Sequence, residues 1–409
     1  MADDRATVNL TGTPDELGRL WGEINGPDLR THLDQFLQVA LSEHGLDEEA
    51  LIRRSGPYCD MVAEWAPHWL VEADAVARAA GLDLALHRAF MAGKYRGLLF
   101  CEECTSYAAV GSATLDGRPL LHKNRDNVLR RQAFYRKHTL GLRSEVLPFL
   151  GVGDTSDLGV MMMVNAAGLA GSADQAGEEP RPRYRGAMNP YGLRLIAETA
   201  TTCDEALDLV RRMTEQGFYA GGKIRTRWTF ADRLGTAMTV LNTHEEVTVE
   251  QRAEKGVVWT VERKGLAELF ASHEGKLTPA VFNEASRLPG VCVPSNCSSL
   301  TVVIDPENPE TFSCAWAALG PANRTAYFPM YMGQTETPLR YLDGSVYDYC
   351  RRPVSVQEAA TLEQESESYR LQQEAAARKA LASGDAARAQ ACLQAPSLQA
   401  LESAKKRFG

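Results

Sequence analysis

Two stretches that read as the strands of one β-hairpin decide how the rest of this sequence is interpreted. They are Cys104-Thr105-Ser106-Tyr107-Ala108-Ala109-Val110 and Leu120-Leu121-His122-Lys123-Asn124-Arg125-Asp126-Asn127. Both runs carry apolar residues, and Asp116-Gly117 between them is a strong turn signal. In a hairpin, the start of the first strand lies next to the end of the second strand. We therefore expect Cys104 to lie beside the polar cluster from Lys123 to Asp126.

The register of this hairpin decides which side chain faces Cys104. A three-residue loop with Gly117 in the left-handed conformation pairs Ser106 with Asp126. Cys104 and Asp126 are then diagonal neighbours on one face, about 7 Å apart or less. A two-residue loop gives that face to Arg125 instead, because a one-residue slip exchanges the two faces of a strand. The sequence leaves both registers open.

The length, net charge and cysteine content of the sequence limit the classes of protein to which it can belong. The 409 residues allow one large domain or two ordinary ones, and 44% hydrophobic residues suffice for a buried core. A formal net charge of -9 argues against a nucleic-acid-binding surface. We expect no membrane span and no signal segment, since no long apolar run and no apolar leader are present. Nine scattered cysteines, an odd number, favour a reducing, cytoplasmic compartment over a disulfide framework.

The first hundred residues are predicted to be mostly helical. A short strand and a helix are expected within residues 7–25, where Thr13 suits the N-cap, Pro14 the first helical position and Glu16 a capping box. Apolar residues spaced three and four apart predict further helices at 28–43, 47–54, 58–80 and 83–97.

The middle of the chain is predicted to be rich in strands and its end helical. Residues 158–164 form a nearly continuous apolar strand that ends at Asn165, and residues 173–190 are typical of a polar surface loop. Further strands are predicted at 225–232, 236–241, 246–252, 256–261, 299–304 and 311–318, with helices at 190–199 and 203–216 before them. Residues 355–409 have helical spacing with breaks at Gly384 and Pro396.

A basic and aromatic run follows the hairpin, within residues 128–149. Its members are Arg130, Arg131, Tyr135, Arg136, Lys137 and His138. The favoured interpretation is a solvated helix face, and the functional one is a rim contact for an acidic or phosphate-bearing group such as coenzyme A.

The hairpin resembles one in a known family of enzymes. A Cys-Thr-Ser start at Cys104, a Thr-x-Asp-Gly turn at Thr114 and an Asn-x-Asp ending at Asn124 are similar to the N-terminal nucleophile (Ntn) hydrolases. The most similar branch is the C45 peptidase family, the acyl-coenzyme A:isopenicillin N acyltransferase type. The stretch Gly12-Thr13-Pro14-Asp15-Glu16-Leu17-Gly18, followed by Gly22-Glu23, also resembles the opening of C45 precursors.

This resemblance implies a fold and a division of the chain. The fold would be α+β, an αββα four-layer sandwich of two antiparallel sheets between helices. Residues 1–103 would be a helical prosegment, residues 104–350 the strand-rich core and residues 351–409 a helical C-terminal extension. A precursor of this family cuts itself just before the cysteine, here between Glu103 and Cys104, and the prosegment stays bound.

The resemblance also implies a reaction. The new N-terminal cysteine uses its own α-amine as base, which suits a thiol whose ordinary pKa is about 8.5. The Cys104 thiolate would attack an amide or thioester carbonyl of a small molecule, and the acyl group would pass to water or an amine. Asp126 would orient the α-amine, while Lys123 or Arg125 would add positive charge that lowers the pKa of the thiol. No cofactor is expected, a coenzyme A thioester as acyl donor excepted.

Other polar residues are candidates for oxyanion and substrate contacts. The family places an oxyanion-donating Asn in a Thr-Asn-His segment, but the sequence here is Trp259-Thr260-Val261-Glu262. Asn165, which begins a strand-Asn-x-x-Gly-Leu step similar to the family's, and Asn296, before strand 299–304, are the remaining amides; both also suit turns. Tyr107 and Arg324 are further candidates for substrate binding, Arg324 through a carboxylate held bidentately.

The departure at 259–262 keeps a second function open, a binding or scaffold protein on the same fold. A zinc site at Cys101 and Cys104 would need a second pair, and only Cys292 and Cys297 offer one, at unusual spacing; we expect no metal. A thioredoxin-like pair should open a helix, whereas this one opens a strand. The expected partners are the small-molecule substrate and the cleaved prosegment, and a homo-oligomer is compatible with the sequence.

Overall fold

The chain folds as an α+β protein in which two β-sheets are stacked face to face between two layers of helices. The computed structural model describes residues 6–93, 104–127, 130–183, 185–350 and 354–408. Small and branched apolar side chains fill the space between the sheets, among them Ala108, Leu121, Leu150, Met162, Leu300 and Ala315. The predicted αββα four-layer sandwich is confirmed.

Four helices follow two short N-terminal strands, and two long helices form the C-terminal part of the described chain. Those within the described residues are α1 Pro14–His44, α2 Glu48–Trp65, α3 Pro67–Ala80, α4 Leu84–Gly93, α5 Asn189–Thr199, α6 Cys203–Glu215, α7 Leu266–Ser272, α8 Pro279–Ser286, α9 Pro309–Phe312, α10 Leu339–Leu342, α11 Ser345–Cys350, α12 Val356–Ala382 and α13 Ala386–Phe408. In this part of the chain no helix is long and apolar enough to cross a membrane.

The strands form two large sheets and one small one. They are β1 Thr7–Val8, β2 Thr11–Gly12, β3 Thr105–Val110, β4 Leu120–Asp126, β5 Gln132–Thr139, β6 Phe149–Asp154, β7 Met162–Asn165, β8 Leu169–Arg183, β9 Gly222–Asp232, β10 Ala237–Asn242, β11 Val247–Ala253, β12 Gly256–Trp259, β13 Asn296–Val303, β14 Cys314–Ala318, β15 Phe328–Tyr331 and β16 Thr337–Pro338. One sheet has the order β11-β10-β9-β8-β7-β6-β5-β2 and the other β12-β3-β4-β13-β14-β15. Neighbours run antiparallel, except that β2 is parallel to β5.

Each large sheet carries its own layer of helices on its outer face. Helices α1 to α6 cover the eight-stranded sheet in one continuous apolar cluster. Helices α7 and α8 cover β3 and β4 of the six-stranded sheet, through side chains such as Phe270 and Phe282. Helices α12 and α13 cover β14 and β15 through Ala377, Ala380 and Leu393. The C-terminal helices therefore complete the fourth layer.

The N-terminal segment contributes strands as well as helices to the core. β1 pairs with β16, with Thr7 opposite Pro338, and β2 pairs with the edge strand β5, with Thr11 opposite His138. Capping explains why α1 starts where it does. The Thr13 hydroxyl accepts from Glu16 N–H and the Glu16 carboxylate accepts from Thr13 N–H, the predicted capping box.

A buried ionic cluster also joins the N-terminal helices to the core, and we call it the seam cluster. It consists of His68 and Glu72 of α3, Lys137 of β5, and Arg194 and Glu198 of α5. Arg194 donates to Glu72 Oε2 (2.6 Å) and to Glu198 Oε1 (2.9 Å), and Lys137 Nζ donates to Glu72 Oε1. Glu198 Oε2 accepts from the indole of Trp69 and lies 2.9 Å from His68 Nε2. Each carboxylate oxygen thus has a partner.

Several observed helices and strands differ from the predicted ones in length or in type. Helix α1 is continuous through Pro27, where a break was expected, and the predicted helix 58–80 is divided at Ala66. Residues 173–183 are not a surface loop but the second part of β8. The predicted break at Pro396 is also absent, since this residue lies inside α13.

The basic run after the hairpin forms strand β5 instead of a helix. Lys137 is buried against Glu72, and Arg131 is paired with Asp28 (3.2 Å) and with Asp348 (2.5 Å). Arg136 donates to the main-chain oxygen of Met332 (2.7 Å). These cations hold parts of the fold together, so the run is not a free basic rim.

The hairpin of β3 and β4 takes neither of the two registers that the sequence left open. It lies three residues away from the register that pairs Ser106 with Asp126, and Arg125 takes the inward face, as expected for the two-residue loop. Ser106 pairs with Lys123, where Asp126 was expected. The chain leaves β3 at Gly111, whose φ is 60°, and makes a 3-10 turn before Gly117, which has the predicted left-handed conformation with φ of 76°. Because three is odd, the faces are exchanged, and Lys123 and Arg125 share the inward face with Ser106.

Candidate active site

Cys104 lies immediately before β3, on the inward side of the six-stranded sheet. Its side chain is 4% exposed, and its thiol lies 4.0 Å from the main-chain oxygen of Asp126 at the end of β4. The hairpin therefore brings Cys104 and Asp126 together, as predicted, although the thiol meets the peptide oxygen and not the carboxylate.

The Asp126 carboxylate is buried and only half satisfied. Oδ1 accepts from Asn296 Nδ2 at 3.2 Å, whereas Oδ2 has no hydrogen-bond partner within the described residues. Burial raises the pKa of Asp126 to about 7, and the positive charges of Lys123 and Arg263 act against that rise. A carboxylate that lacks a donor at one oxygen is an acceptor site for a cation or an N–H group.

Lys123 places a fully buried ammonium group in the same region. Its Nζ lies 3.1 Å from Asp174 Oδ1 and donates to the main-chain oxygen of Ala173, both on β8 of the facing sheet. Asp174 is also buried. The ion pair therefore spans the space between the two sheets, next to Cys104.

Asp174 is the centre of a hydrogen-bonded group that connects four strands or their ends. Its Oδ1 accepts from Ser106 Oγ and its Oδ2 from Thr260 Oγ1, each at 2.9 Å. Ser172 Oγ donates to Ser106 Oγ at 2.9 Å. The main chain reinforces this, since Ser106 N–H donates to Thr260 Oγ1 and Thr260 N–H to Ser106 O, also at 2.9 Å.

The electrostatics of the intact chain keep the Cys104 thiol protonated. Burial raises its pKa to about 12, and the charge of Lys123 only partly offsets this effect. The negative charges of Asp174 and Asp126 raise it further. A thiolate at Cys104 therefore requires a nearby base or a further positive charge.

The Asn296 side chain lies near Cys104, but its amide is hydrogen-bonded to Asp126 and to the main chain. Its Nδ2 donates to the Arg125 main-chain oxygen (3.1 Å) and to Asp126 Oδ1, and its Oδ1 accepts from Ala322 N–H (2.8 Å). The amide has two N–H groups, and both are directed to these acceptors. Asn296 thus positions the Asp126 carboxylate and the corner at 320–324.

The structure does not bring Asn165 to Cys104. Its Nδ2 donates to the main-chain oxygens of Ala197 and Ala200 at the end of α5, and its Oδ1 accepts from Leu169 N–H. Asp174 lies five positions beyond Leu169 along β8, which is roughly 16 Å at the usual rise. The proposed oxyanion donor is in fact a buried residue that joins the β7–β8 turn to α5.

Three of the predicted substrate contacts lie elsewhere. Tyr107 faces the helices, where its ring stacks on His122 with 4.7 Å between centroids and its hydroxyl donates to Phe282 O. Arg125 faces inward but is paired with Asp154 at 2.7 Å, and both side chains are buried. Arg324 is exposed on the corner at 320–324.

Three residues near Cys104 and Asp126 were not predicted from the sequence: Asp174, Thr260 and Arg263. Asp174 fell within the predicted loop, although Ala170, Ser172 and Asp174 alternate as small or polar residues along what is β8. Such an alternation ending in a carboxylate is a signal that could have identified an inward-facing acid. Thr260 stands in the segment that departs from the family pattern, and its bond to Asp174 is between distant parts of the chain.

Two further expectations concern other residues. Within the described ranges, no group of three His, Cys, Asp or Glu side chains is placed to hold a metal ion. Glu103, the residue before the expected cut, and Cys101 lie outside the described residues.

Comparisons with known proteins give solved structures only. No protein-family model and no curated protein matches this chain. Penicillin V acylase from Agrobacterium tumefaciens is similar at 13% identity and a TM-score of 0.38, over 56% of this chain and 86% of the other. The N-acylethanolamine-hydrolyzing acid amidase ortholog from Caenorhabditis elegans has 14% identity, a TM-score of 0.36, and coverage of 49% and 92%.

A variant of conjugated bile acid hydrolase from Clostridium perfringens is similar at 10% identity and a TM-score of 0.38, over 56% of this chain and 92% of the other. Each similarity thus spans most of the other chain and about half of this one.

Proposed function

We propose that this chain is a self-processing Ntn hydrolase, an amidohydrolase or acyltransferase whose nucleophile is Cys104. The observation that carries the proposal is the position of the Cys104 thiol, 4.0 Å from the main-chain oxygen of Asp126. The buried carboxylate of Asp126 has one oxygen, Oδ2, with no hydrogen-bond partner within the described residues. The motif residues from Cys104 to Asp126, which resemble this family, support it.

Processing would begin with the Cys104 thiol attacking the carbonyl carbon of Glu103. The C–S bond forms, the peptide C–N bond breaks, and the nitrogen takes a proton to become the α-amine of Cys104. Water then hydrolyses the thioester, which releases the Glu103 carboxylate and restores the thiol. The products are fragments of 103 and 409 − 103 = 306 residues.

The new α-amine supplies what the intact chain lacks. As an ammonium it is a donor for Asp126 Oδ2, and as an amine it is a base for the adjacent thiol, because its ordinary pKa is about 8. Lys123, fixed by Asp174, adds a positive charge that favours the thiolate. The thiolate would then attack the substrate carbonyl, expel the amine or thiol leaving group and form an acyl-enzyme. Water or an amine would take the acyl group.

Within this class we assign the chain to a C45-like branch, on the resemblance of residues 12–23 and 104–126. A coenzyme A thioester is a chemically suitable acyl donor, because its thiol leaving group departs more easily than an amine. The bound prosegment would be the permanent partner of the large fragment. A cytoplasmic location follows from the cysteine usage alone.

Intact-mass measurement of the purified chain tests the proposal. The wild-type protein should give two masses that correspond to a cut between Glu103 and Cys104 and should elute as one species. The Cys104→Ala variant should remain a single chain. Equal cleavage in that variant, or a cut before Cys101, would contradict the assignment of the nucleophile.

A scaffold protein on the same fold is the second candidate, and two observations favour it. The Cys104 thiol has a pKa of about 12 in the intact chain, raised by burial. Asn165 and Asn296, the two amides considered for the oxyanion, have their N–H groups bonded within the protein. An unprocessed wild-type chain that takes up no acyl group from amides or thioesters would establish this alternative.

A further inference from the structure

Three cations occupy alternate positions near the start of β9, and we call them the basic row: Lys223, Arg225 and Arg227. Side chains two residues apart on a strand share a face and are about 7 Å apart. Ala231, an even number of residues further on, packs between the two sheets, so the basic row lies on the face of β9 that is directed to the six-stranded sheet. Lys223 is exposed and both arginines are partly exposed. This end of the face is therefore open to solvent.

The strand register places the basic row beside the candidate active site. Arg227 lies directly opposite Asp174, the buried partner of Lys123. Arg225 is then a diagonal neighbour of Asp174, about 7–8 Å away. Lys223 is one further alternation along β9. The row therefore leads from the level of Asp174 to the exposed Lys223 side chain.

Of the three cations, only Arg227 has an acid partner within the described residues. It donates twice to Glu250, at 2.6 and 3.0 Å. Lys223 and Arg225 form no side-chain hydrogen bond or ion pair in this part of the chain. The Nε atom of Arg225 is also shielded from solvent. Two neighbouring positive charges are thus without a counter-charge.

Arginines of similar exposure elsewhere in the described residues have acid partners. They include Arg88, Arg118, Arg287 and Arg378. The chain has 53 acidic residues against 44 lysines and arginines, so acids are not scarce. A buried donor without an acceptor costs stability, and groups left in that state are concentrated at functional sites. The unbonded state of Arg225 therefore indicates contact with a ligand.

The acids on the neighbouring strands do not serve the two unpaired cations. Asp174 and Glu250 are engaged in the ion pairs already described. Glu179 accepts from two main-chain N–H groups. Glu178 lies opposite Ile224, whose side chain alternates onto the other face of β9. Within the described residues, the two charges are therefore left for an external anion.

The opposite strand leaves room for the Arg225 guanidinium. Gly177 lies in the irregular part of β8, between the paired residues Gln175 and Glu178, and its φ is 86°. A Cβ atom at this position would lie 3.1 Å from Arg225 Nη2. Because glycine has no Cβ, the guanidinium packs against the main chain of β8 without a side chain across it.

We propose that Lys223 and Arg225 form a binding site for a small anion that carries two negatively charged oxygen groups, such as a diphosphate or a dicarboxylate. The two cations are one alternation of the strand apart, so one ligand a few bonds long contacts both. Arg225 supplies a planar pair of N–H donors, and Lys223 supplies a point charge. The site does not depend on the reactivity of Cys104 and goes beyond the proposed function.

Isothermal titration calorimetry of the wild-type protein tests the site without turnover. Pyrophosphate is titrated at constant ionic strength, with acetate as the singly charged comparison. We expect pyrophosphate to bind more tightly than acetate, and Arg225→Gln to weaken its binding about tenfold. Lys223→Gln should have a smaller effect, because its side chain is exposed. Arg212→Gln, which removes an exposed arginine of α6, is the matched control and should keep the wild-type dissociation constant.

Glutarate in place of pyrophosphate distinguishes the two kinds of anion. Tighter binding of pyrophosphate identifies a phosphate-bearing ligand, and tighter binding of glutarate identifies a dicarboxylate. In either case the preferred anion should lose affinity in Arg225→Gln and retain it in Arg212→Gln.

The melting temperature without ligand separates binding from a structural role. Arg225→Gln removes an unbonded donor, so the melting temperature should stay within a few degrees. A large loss of stability, binding of neither anion by the wild-type protein, or equal weakening in Arg212→Gln would overturn the inference. These measurements need neither cleavage nor acyl transfer. Failure of the site therefore leaves the proposed function standing, and a chain that is never cut leaves the site standing.

Discussion

The seam cluster and the candidate active site both hold buried charged side chains, and they differ in how completely their carboxylates are hydrogen-bonded. In the seam cluster all four oxygens of Glu72 and Glu198 have partners. Burial alone would raise the pKa of Glu198, but the charges and hydrogen bonds of Arg194 and His68 together lower it to about 2. In the candidate site, Asp126 is about as deeply buried, but Oδ2 has no partner in the described residues and its pKa rises to about 7.

The difference teaches that burial alone does not decide how completely a carboxylate is hydrogen-bonded. A fully bonded carboxylate stabilises the arrangement of helices and strands around it. A half-bonded one costs stability and keeps an acceptor available for another group. The comparison therefore predicts opposite responses to substitution in the two clusters.

The largest expected effect is the loss of stability when the seam cluster is broken. Arg194→Met leaves Glu72 and Glu198 buried without their shared guanidinium, which should lower the free energy of unfolding by about 3–5 kcal/mol. Urea denaturation in the Cys104→Ala background measures this on an intact chain. Glu23→Gln, which removes an exposed pair with Arg19, is the control and should change stability by less than about 1 kcal/mol. If Arg194→Met costs no more stability than the Glu23→Gln control, the proposed difference between the seam cluster and the candidate active site is wrong.

Under the proposed function, the next largest effect is a loss of acyl transfer on substitution of Asp126. Asp126→Asn keeps an oxygen for the Asn296 amide but offers the α-amine no carboxylate, so acyl transfer should fall about a hundredfold or more, close to 3 kcal/mol. The melting temperature should stay within a few degrees. Calorimetry and turnover on one preparation provide both values. A fully active variant would exclude Asp126 from the reaction.

The pH dependence of stability should reveal the same carboxyl group. Its pKa is raised, so the folded state holds a proton that the unfolded chain releases above about pH 4. The stabilisation is complete below that pH and is lost as the pH rises towards 7. Between pH 5 and 7, the free energy of unfolding of the Cys104→Ala protein should fall by about 2–3 kcal/mol more than that of the double variant Cys104→Ala, Asp126→Asn. Parallel pH profiles of the two proteins would show that Asp126 has an ordinary pKa.

The smallest effect is expected at Asn165. Asn165→Ala removes donors from two main-chain oxygens of α5 and should cost about 1–2 kcal/mol of stability. Acyl transfer by the folded fraction should remain within about twofold, because the residue is distant from Cys104. A selective loss of transfer without a loss of stability would return Asn165 to the site.

The sequence predicted what depends on neighbours in the chain. The pairing of β3 with β4, the strands from 225 to 261 and the Thr13 capping box all follow from local patterns. The register did not, because Thr114 forms a bridge to Leu277 and the chain turns early at Gly111, both of which depend on distant contacts. The same reason explains Asp174, whose partners Ser106, Lys123 and Thr260 are far from it in sequence.

Asn165 illustrates a different limit. The local prediction was sound, since the residue ends β7 and precedes a turn at Gly168 with φ of 81°. What the pattern did not contain was the end of α5, which takes both amide N–H groups. Asparagine is favoured both in turns and as a hydrogen-bond donor to an oxyanion. Only the surrounding structure distinguishes the two roles.

The strand pairing of the N-terminal segment has a consequence for making the protein. A gene that starts at Cys104 would yield a chain whose eight-stranded sheet ends in an uncovered β5 edge and whose Lys137 and Arg194 lack the Glu72 counter-charge. An exposed edge strand can pair with another chain, and buried charges without a counter-charge destabilise the fold; both promote aggregation. Residues 104–409 made alone should therefore be insoluble unless residues 1–103 are co-expressed. Under the proposed processing, a cut after folding is the practical route to an N-terminal cysteine at position 104.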